Sequence, residues 1–286
     1  MLRKAFALAA PLAAVLGLAF LAGPAPAATT QAPLKEADWA FEGPLGKFDQ
    51  GQLQRGYKVY REVCSACHSM DLAYFRNLGQ KGGPFYDPKY PNPNNNPYVK
   101  SLAKDIQVGD IDSETGDAIK RPATPADRFP APFPNKAAAA ASNGGAAPPD
   151  LSVMAKAREG GPNYIYSLMQ GFVAPPKGLT VPAGKYYNIY FPGDLSSSWS
   201  GPADKVPPGG FISMPPPLGP NKVTFDDGTP STLQNQARDV ATFLAWAAEP
   251  KMEERKQFGL GAMIYLAIFA VLLWFSYRRI WRNVAH

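Results

Sequence analysis

Cysteine and histidine are nearly absent, with two of each in 286 residues. So few cysteines exclude a disulfide framework, because one bridge cannot staple a domain of this size. Charge is sparse as well, at 18% of residues. The formal excess of +6 lies at the two ends: Arg3 and Lys4 before residue 28, and six basic residues against Glu253 and Glu254 after residue 250. Residues 28–250 are therefore neutral, and no basic face for nucleic acid is expected. Internal repeats are missing, and no segment alternates β-branched and polar residues long enough to demand a sheet.

Proline and glycine are plentiful instead. Their 31 and 26 residues make up about a fifth of the chain, below the roughly 25–30% that marks structureless low complexity. With 45% hydrophobic residues, the chain predicts a folded, mainly α, loop-rich protein.

Two apolar stretches bracket the folded part. Met1–Lys4 is basic, Ala5–Ala22 is apolar, and Ala25-Pro26-Ala27 is a small-x-small cleavage signal, so residues 1–27 read as a secretory signal peptide. Near the other end, Phe258–Tyr277 is an uncharged run of 20 residues, long enough as a helix to cross the ~30 Å of bilayer hydrocarbon. Arg278, Arg279 and Arg282 follow it, which places residues 278–286 in the cytoplasm by the positive-inside bias. The organisation expected is an exported domain over 28–250, a juxtamembrane linker at 251–257, a transmembrane helix at 258–277 and a cytoplasmic tail.

Within the exported domain, spacings of three and four from Asp49 through Leu53, Tyr57, Tyr60, Cys64 and Cys67 predict one helix, with Asp49 and Gln52 at its cap. A second starts at Ser231, with Gln234 completing a capping box, and stops before Pro250. Weaker helical stretches lie at Tyr98–Val108 and Leu151–Phe172, the latter interrupted by Gly160, Gly161 and Pro162. The long connections between them need a surface to pack on, which a large flat cofactor would supply.

Both cysteines fall in Cys64-Ser65-Ala66-Cys67-His68. Two thiols three residues apart can add to the two vinyl groups of a haem, and the adjacent imidazole can bind its iron. A thioredoxin-like pair would need a βαβ setting, and a zinc site would need a second pair of ligands; neither is visible. For the sixth ligand, His286 lies across the membrane. Met1 leaves with the signal, Met263 is in the span, Met252 adjoins it, and Met70 is too close to His68. Met154, Met169 and Met214 remain. Met214 is favoured because Met214-Pro215-Pro216-Pro217 is a stiff loop, while the other two read as core filling.

These residues resemble cytochrome c1, the haem subunit of the quinol:cytochrome c oxidoreductase (bc1) complex, in its bacterial type. The likeness runs through Arg55-Gly56-Tyr57, Cys64-Ser65-Ala66-Cys67-His68-Ser69-Met70, Pro148-Pro149-Asp150-Leu151-Ser152, Tyr190-Phe191-Pro192-Gly193, Met214-Pro215-Pro216-Pro217, Phe225-Asp226-Asp227-Gly228-Thr229-Pro230 and Asp239–Pro250, and ends in the C-terminal anchor. The resemblance implies a cytochrome c-like helical haem domain with long loops. It also implies one covalent haem c on Cys64 and Cys67, with His68 and Met214 as axial ligands of the iron. Cytochrome b and a Rieske iron–sulfur protein are the implied complex partners, and a c-type cytochrome is the acceptor, with the haem domain in the periplasm. The chain would then be an electron carrier and no enzyme by itself.

Two departures stand out. Ala140 occupies the place where relatives carry an arginine for a haem propionate, which leaves Arg121 or Arg128 for that role. The loop around Ser196–Pro208 is longer than in mitochondrial relatives and has no cysteines. The acidic residues Asp110, Asp112, Glu114 and Asp117 read as a solvated loop. The rival functions are a stand-alone membrane-anchored cytochrome c, which shares the haem and anchor, and an open-haem enzyme or gas sensor, in which Met214 would not be bound.

Overall fold

Asp49 starts the first helix as expected. In the computed structural model, which describes residues 31–283, its carboxylate accepts a hydrogen bond from the Gln52 N–H at 2.7 Å, satisfying a donor the helix end leaves free. Helix α1 runs Gln50–Glu62 and buries Leu53, Gly56, Tyr57, Val59 and Tyr60. It does not continue to Cys67. Val63 leaves helical geometry, and Cys64–Ala66 tighten into a 3-10 turn. That turn is closed by the Cys67 and His68 N–H groups, which both donate to the Cys64 carbonyl, at 3.1 and 2.9 Å. The signal-peptide segment and His286 lie outside the described residues.

Helices α2 (Pro97–Lys104), α3 (Lys136–Ser142), α4 (Met154–Ala157) and α5 (Gly161–Gln170) follow. The helix expected over Tyr98–Val108 stops at Lys104, and Val108 belongs instead to strand β1 (Gln107–Ile111). This pairs antiparallel with β2 (Ala118–Pro122), Gln107 opposite Pro122 and Ile111 opposite Ala118. Asp110 binds Arg121 at 2.5 Å, and Asp112 accepts from the N–H groups of Glu114 and Thr115. Two members of the acidic cluster are thus building blocks of an exposed hairpin.

Helix α6 (Leu233–Ala248) is the centre of the head. Its cap lies one residue later than expected: Thr232 accepts from the Asn235 N–H at 3.1 Å, because the Ser231 hydroxyl is spent on the Val223 carbonyl. From Gln236 to Trp246 nearly every residue is buried, since α1, α4 and α5 all pack around it. Gly56 makes the α1 crossing possible, because a Cβ there would sit 2.0 Å from the Asp239 carbonyl oxygen. Beside it, the Arg55 guanidinium reaches the buried Asp239 carboxylate at 2.6 Å. Aromatic rings fill the interface, with Tyr60 and Phe243 at 5.6 Å, Phe243 and Trp246 at 5.5 Å, and Phe75 and Phe129 at 4.8 Å between centroids; such pairs add to the burial term.

A satellite lobe has its own small core of Leu179, Tyr187 and Leu195, onto which Trp199, Val206 and Phe211 pack. It holds a second two-stranded sheet, β3 (Tyr186–Asn188) against β4 (Gly210–Ile212). Gly209 enters β4 at φ +104°, where a Cβ would lie 2.3 Å from the Asn188 carbonyl oxygen. The Ser196–Pro208 loop belongs to this lobe and is held by packing together with the Trp199 Nε1 bond to the Pro202 carbonyl, 2.9 Å.

Helix α7 spans Met252–Trp281 without a break. The segment expected as a linker, 251–257, is therefore helical from Met252 onward, and it is fastened to the head. Met252 is buried in the main core. Glu253 accepts the Phe48 N–H at 2.9 Å, and the Lys256 ammonium donates to the Phe41 carbonyl at 2.5 Å. From Phe258 on, large apolar side chains stand exposed on a helix long and apolar enough to cross a membrane. Such a helix, apolar all round, is a membrane span.

Candidate functional site

The 3-10 turn at the end of α1 brings the sequence motif together as three separate functional groups. Cys64 and Cys67 are both free thiols, and Cys67 is exposed. Burial, with a smaller contribution from Cys67, pushes the Cys64 thiol up to about 12. A redox-active pair is favoured at a helix N-terminus, whereas this one follows the C-terminus of α1 and burial raises the Cys64 thiol. Among the described residues no cluster of three His, Cys, Asp or Glu side chains is placed to hold a metal ion.

His68 is held by a feature that the sequence does not announce. Its Nδ1 lies 2.7 Å from the Pro149 carbonyl oxygen. A carbonyl only accepts, so Nδ1 carries the proton and Nε2 keeps its lone pair. Burial lowers the His68 pKa, opposed in part by the Pro149 carbonyl and Asp150, and the ring is neutral at neutral pH.

The Pro149 segment is itself pinned. Leu151 N–H donates to the Ser69 carbonyl at 2.9 Å. The Asp150 carboxylate accepts from the Ser69 hydroxyl at 2.8 Å and the Asp71 N–H at 2.7 Å, and Leu72 N–H donates to the Ser152 hydroxyl at 3.0 Å. Burial raises the Asp150 pKa, but these donors and Ser152 outweigh it and the net direction is down. This clamp joins segments some 80 residues apart. Its signal in the sequence was Pro148-Pro149-Asp150-Leu151-Ser152, a matched motif with no role attached.

The methionines separate cleanly. Met70 and Met252 are buried in the main core, and Met154 and Met169 pack against it. Met263 is exposed on α7. Met214 follows β4 in a partly exposed bend and belongs to neither core. Next to it, the Ser213 hydroxyl is held by the Lys185 ammonium at 2.6 Å. Met214 and His68 are carried by different segments of the chain, the bend after β4 and the turn after α1.

Of the two arginines considered above, Arg121 is committed to Asp110 and Asp127, at 2.5 and 2.7 Å. Arg128 donates to the Tyr74 hydroxyl at 3.0 Å and the Asp71 carbonyl at 3.1 Å. Its guanidinium lies over the Tyr74 ring, 5.1 Å from the centroid, and Arg76 lies over the same ring at 4.6 Å. Ala140 lies partly buried in α3.

Two unpaired thiols and a neutral imidazole with a free Nε2 on one turn are the donor set of a c-type haem. A helical head with that turn, carried on a membrane helix, defines a membrane-anchored c-type cytochrome. Comparison with known proteins narrows the class: residues 39–284 match the Cytochrome C1 family. The chain is 41% identical over 269 residues to cytochrome c1 of Rhodospirillum rubrum, covering 88% of this chain and 89% of that one. It is 40% identical over 238 residues to the mitochondrial cytochrome c1 heme protein of Kluyveromyces lactis, covering 82% and 72%. With the protein named cytochrome b/c1 of Bradyrhizobium diazoefficiens it shares 43% over 264 residues, covering 86% of this chain but only 35% of the relative. The chain belongs to the cytochrome c1 family, whose members carry a c-type haem in electron transport.

Proposed function

We propose that this chain is the haem c subunit of a bc1 complex, relaying single electrons from a Rieske iron–sulfur protein to a c-type cytochrome, with cytochrome b as its membrane partner. The observation that carries this reading is the His68 Nδ1 bond to the Pro149 carbonyl, which leaves the Nε2 lone pair available next to two free thiols. In this reading Cys64 and Cys67 would hold one haem through thioether bonds, and the His68 imidazole and the Met214 thioether would be the ligands of its iron. When bound, the haem supplies reversible one-electron chemistry between ferric and ferrous iron.

Met214 is supported by elimination, since the other described methionines are in the core or on the span. As a ligand its neutral sulfur would favour ferrous iron and raise the potential. Arg128 is supported as a propionate partner, because Arg121 is consumed by two carboxylates while Arg128 and Arg76 have no carboxylate partner among the described residues. In this reading the handling of quinol protons belongs to cytochrome b, and His68 is engaged with the Pro149 carbonyl. The cytochrome b partner is supported by the relative whose name joins b and c1. The arginines after the span support an export orientation with the head in the periplasm and residues 278–286 in the cytoplasm, after loss of residues 1–27.

Gentle detergent purification through a C-terminal tag tests the assignment. Co-purification of b-type haem and a Rieske protein, with inhibitor-sensitive reduction of the c-type haem by quinol, is the expected result. A c-type haem arriving alone would replace this reading with a stand-alone membrane-anchored cytochrome c.

A further inference from the structure

Where the head meets α7, a shallow open cavity of about 230 Å³ has no part in the electron-transfer reading. Its floor includes the buried Leu53, and its walls carry Lys47, Lys81, Gly82, Tyr86 and Glu253. Glu253 is occupied by the Phe48 N–H. Neither lysine ammonium has a carboxylate or carbonyl partner among the described residues, so two cations face one already engaged carboxylate. The turn carrying Lys81 is held against α7: a Cβ on Gly82, which sits at φ +80°, would lie 3.8 Å from the Glu253 carboxyl carbon.

The depth of the cavity is fixed by the helix. Glu253 precedes Phe258, the first residue of the lipid-facing run, by five positions, which is about 7.5 Å at 1.5 Å per residue. The polar layer of a bilayer is roughly 5–7 Å thick on each side of the hydrocarbon. Because α7 is continuous and docked to the head, the cavity that Glu253 lines lies about one polar-layer thickness from the start of the apolar run. On the Glu253 side of α7 the exposed apolar residues Leu260 and Ile264 continue below it.

We propose that this cavity is a phospholipid-headgroup site in which Lys47 and Lys81 hold the phosphodiester, with the acyl chains lying along the face of α7 that carries Leu260 and Ile264. The proposal stands independently of the electron-transfer reading, since it uses only the anchor and the joint.

The test uses the full-length haem-loaded chain in detergent, titrated with phosphatidylglycerol and followed by native mass spectrometry. Lys47→Gln with Lys81→Gln is expected to weaken retention of bound lipid by about tenfold or more, as removal of two headgroup-level lysines predicts, while Lys47→Arg with Lys81→Arg restores it. Arg278→Gln, Arg279→Gln and Arg282→Gln together serve as the background, so that lipid held at the other membrane face is subtracted. Equal retention by wild type and the glutamine pair on that background overturns the proposal. Displacement of the lipid by millimolar inorganic phosphate overturns it too, and assigns a free-anion site. If the glutamine pair does not fold, hydrogen exchange on wild type decides: amides of the Lys81–Gly83 turn become protected in phosphatidylglycerol nanodiscs, and unchanged exchange between nanodisc and lipid-free detergent overturns the site.

Discussion

His68 and Met214 are carried by two regions built on different scales. His68 projects from a turn rooted in the main core, where α1 crosses α6 at backbone distance and a clamp of hydrogen bonds from Pro149 to Ser152 fixes the ring. Met214 hangs from β4 at the rim of a lobe whose small core has three buried hydrophobic residues, stiffened by prolines and by the Lys185–Ser213 bond. Stability follows buried apolar area, so the lobe is the weaker body, and local opening there costs less than opening the main core. On the proposed ligation, the imidazole side is permanent and the thioether side is the first to yield.

The largest break of this contrast comes from the main core. Phe243→Ala removes a ring at the centre of the aromatic cluster and is expected to cost about 3–5 kcal/mol, a large share of a domain's net stability. Haem staining and the melting transition should be lost together. Leu195→Ala is expected to cost about 2–5 kcal/mol, but confined to the lobe. The covalent haem stain should persist while the ferric thioether charge-transfer band weakens; loss of haem in this variant would mean that the two regions fold as one.

Met214→Leu narrows the change to one bond. Haem should stay attached, the midpoint potential should fall, and ferrous haem should take up carbon monoxide; an unchanged potential removes Met214 as the ligand. The smallest effect is expected from Lys185→Met, which keeps the aliphatic stem and removes the ammonium donor to Ser213. A charged hydrogen bond is worth roughly 1.5–3 kcal/mol at most, so carbon monoxide uptake should be intermediate between wild type and Met214→Leu, with melting unchanged.

Local chemistry was legible in the sequence and long-range pairing was not. The Asp49 cap, the span after Phe258 and the adjacency of Cys64, Cys67 and His68 depend on neighbours a few residues away. The end of α1 at Glu62 was not readable, because period-3.6 spacing is also satisfied by a 3-10 turn lying in line with the helix. Val108 was assigned to a helix because its strand partner, Arg121, lies beyond a turn. Ser231 satisfied the capping pattern, and lost the role to Thr232 through a contact with Val223 that only the folded chain creates. The clamp on His68 is the extreme case, since a proline carbonyl 81 positions away leaves no periodicity to detect. Met214 is proposed by elimination among few candidate ligands, an argument that needs no knowledge of the fold.

The unbroken run from buried Met252 into the membrane also has a mechanical meaning. A head joined to its anchor by a flexible stalk samples many heights and tilts, whereas this one is set on a stiff post, with its first turn gripped by Phe41 and Phe48. The Cys64–His68 turn is therefore held rigidly relative to the anchor helix. On the proposed function, a donor and an acceptor exchanging electrons with such a fixed station would have to supply the travel themselves.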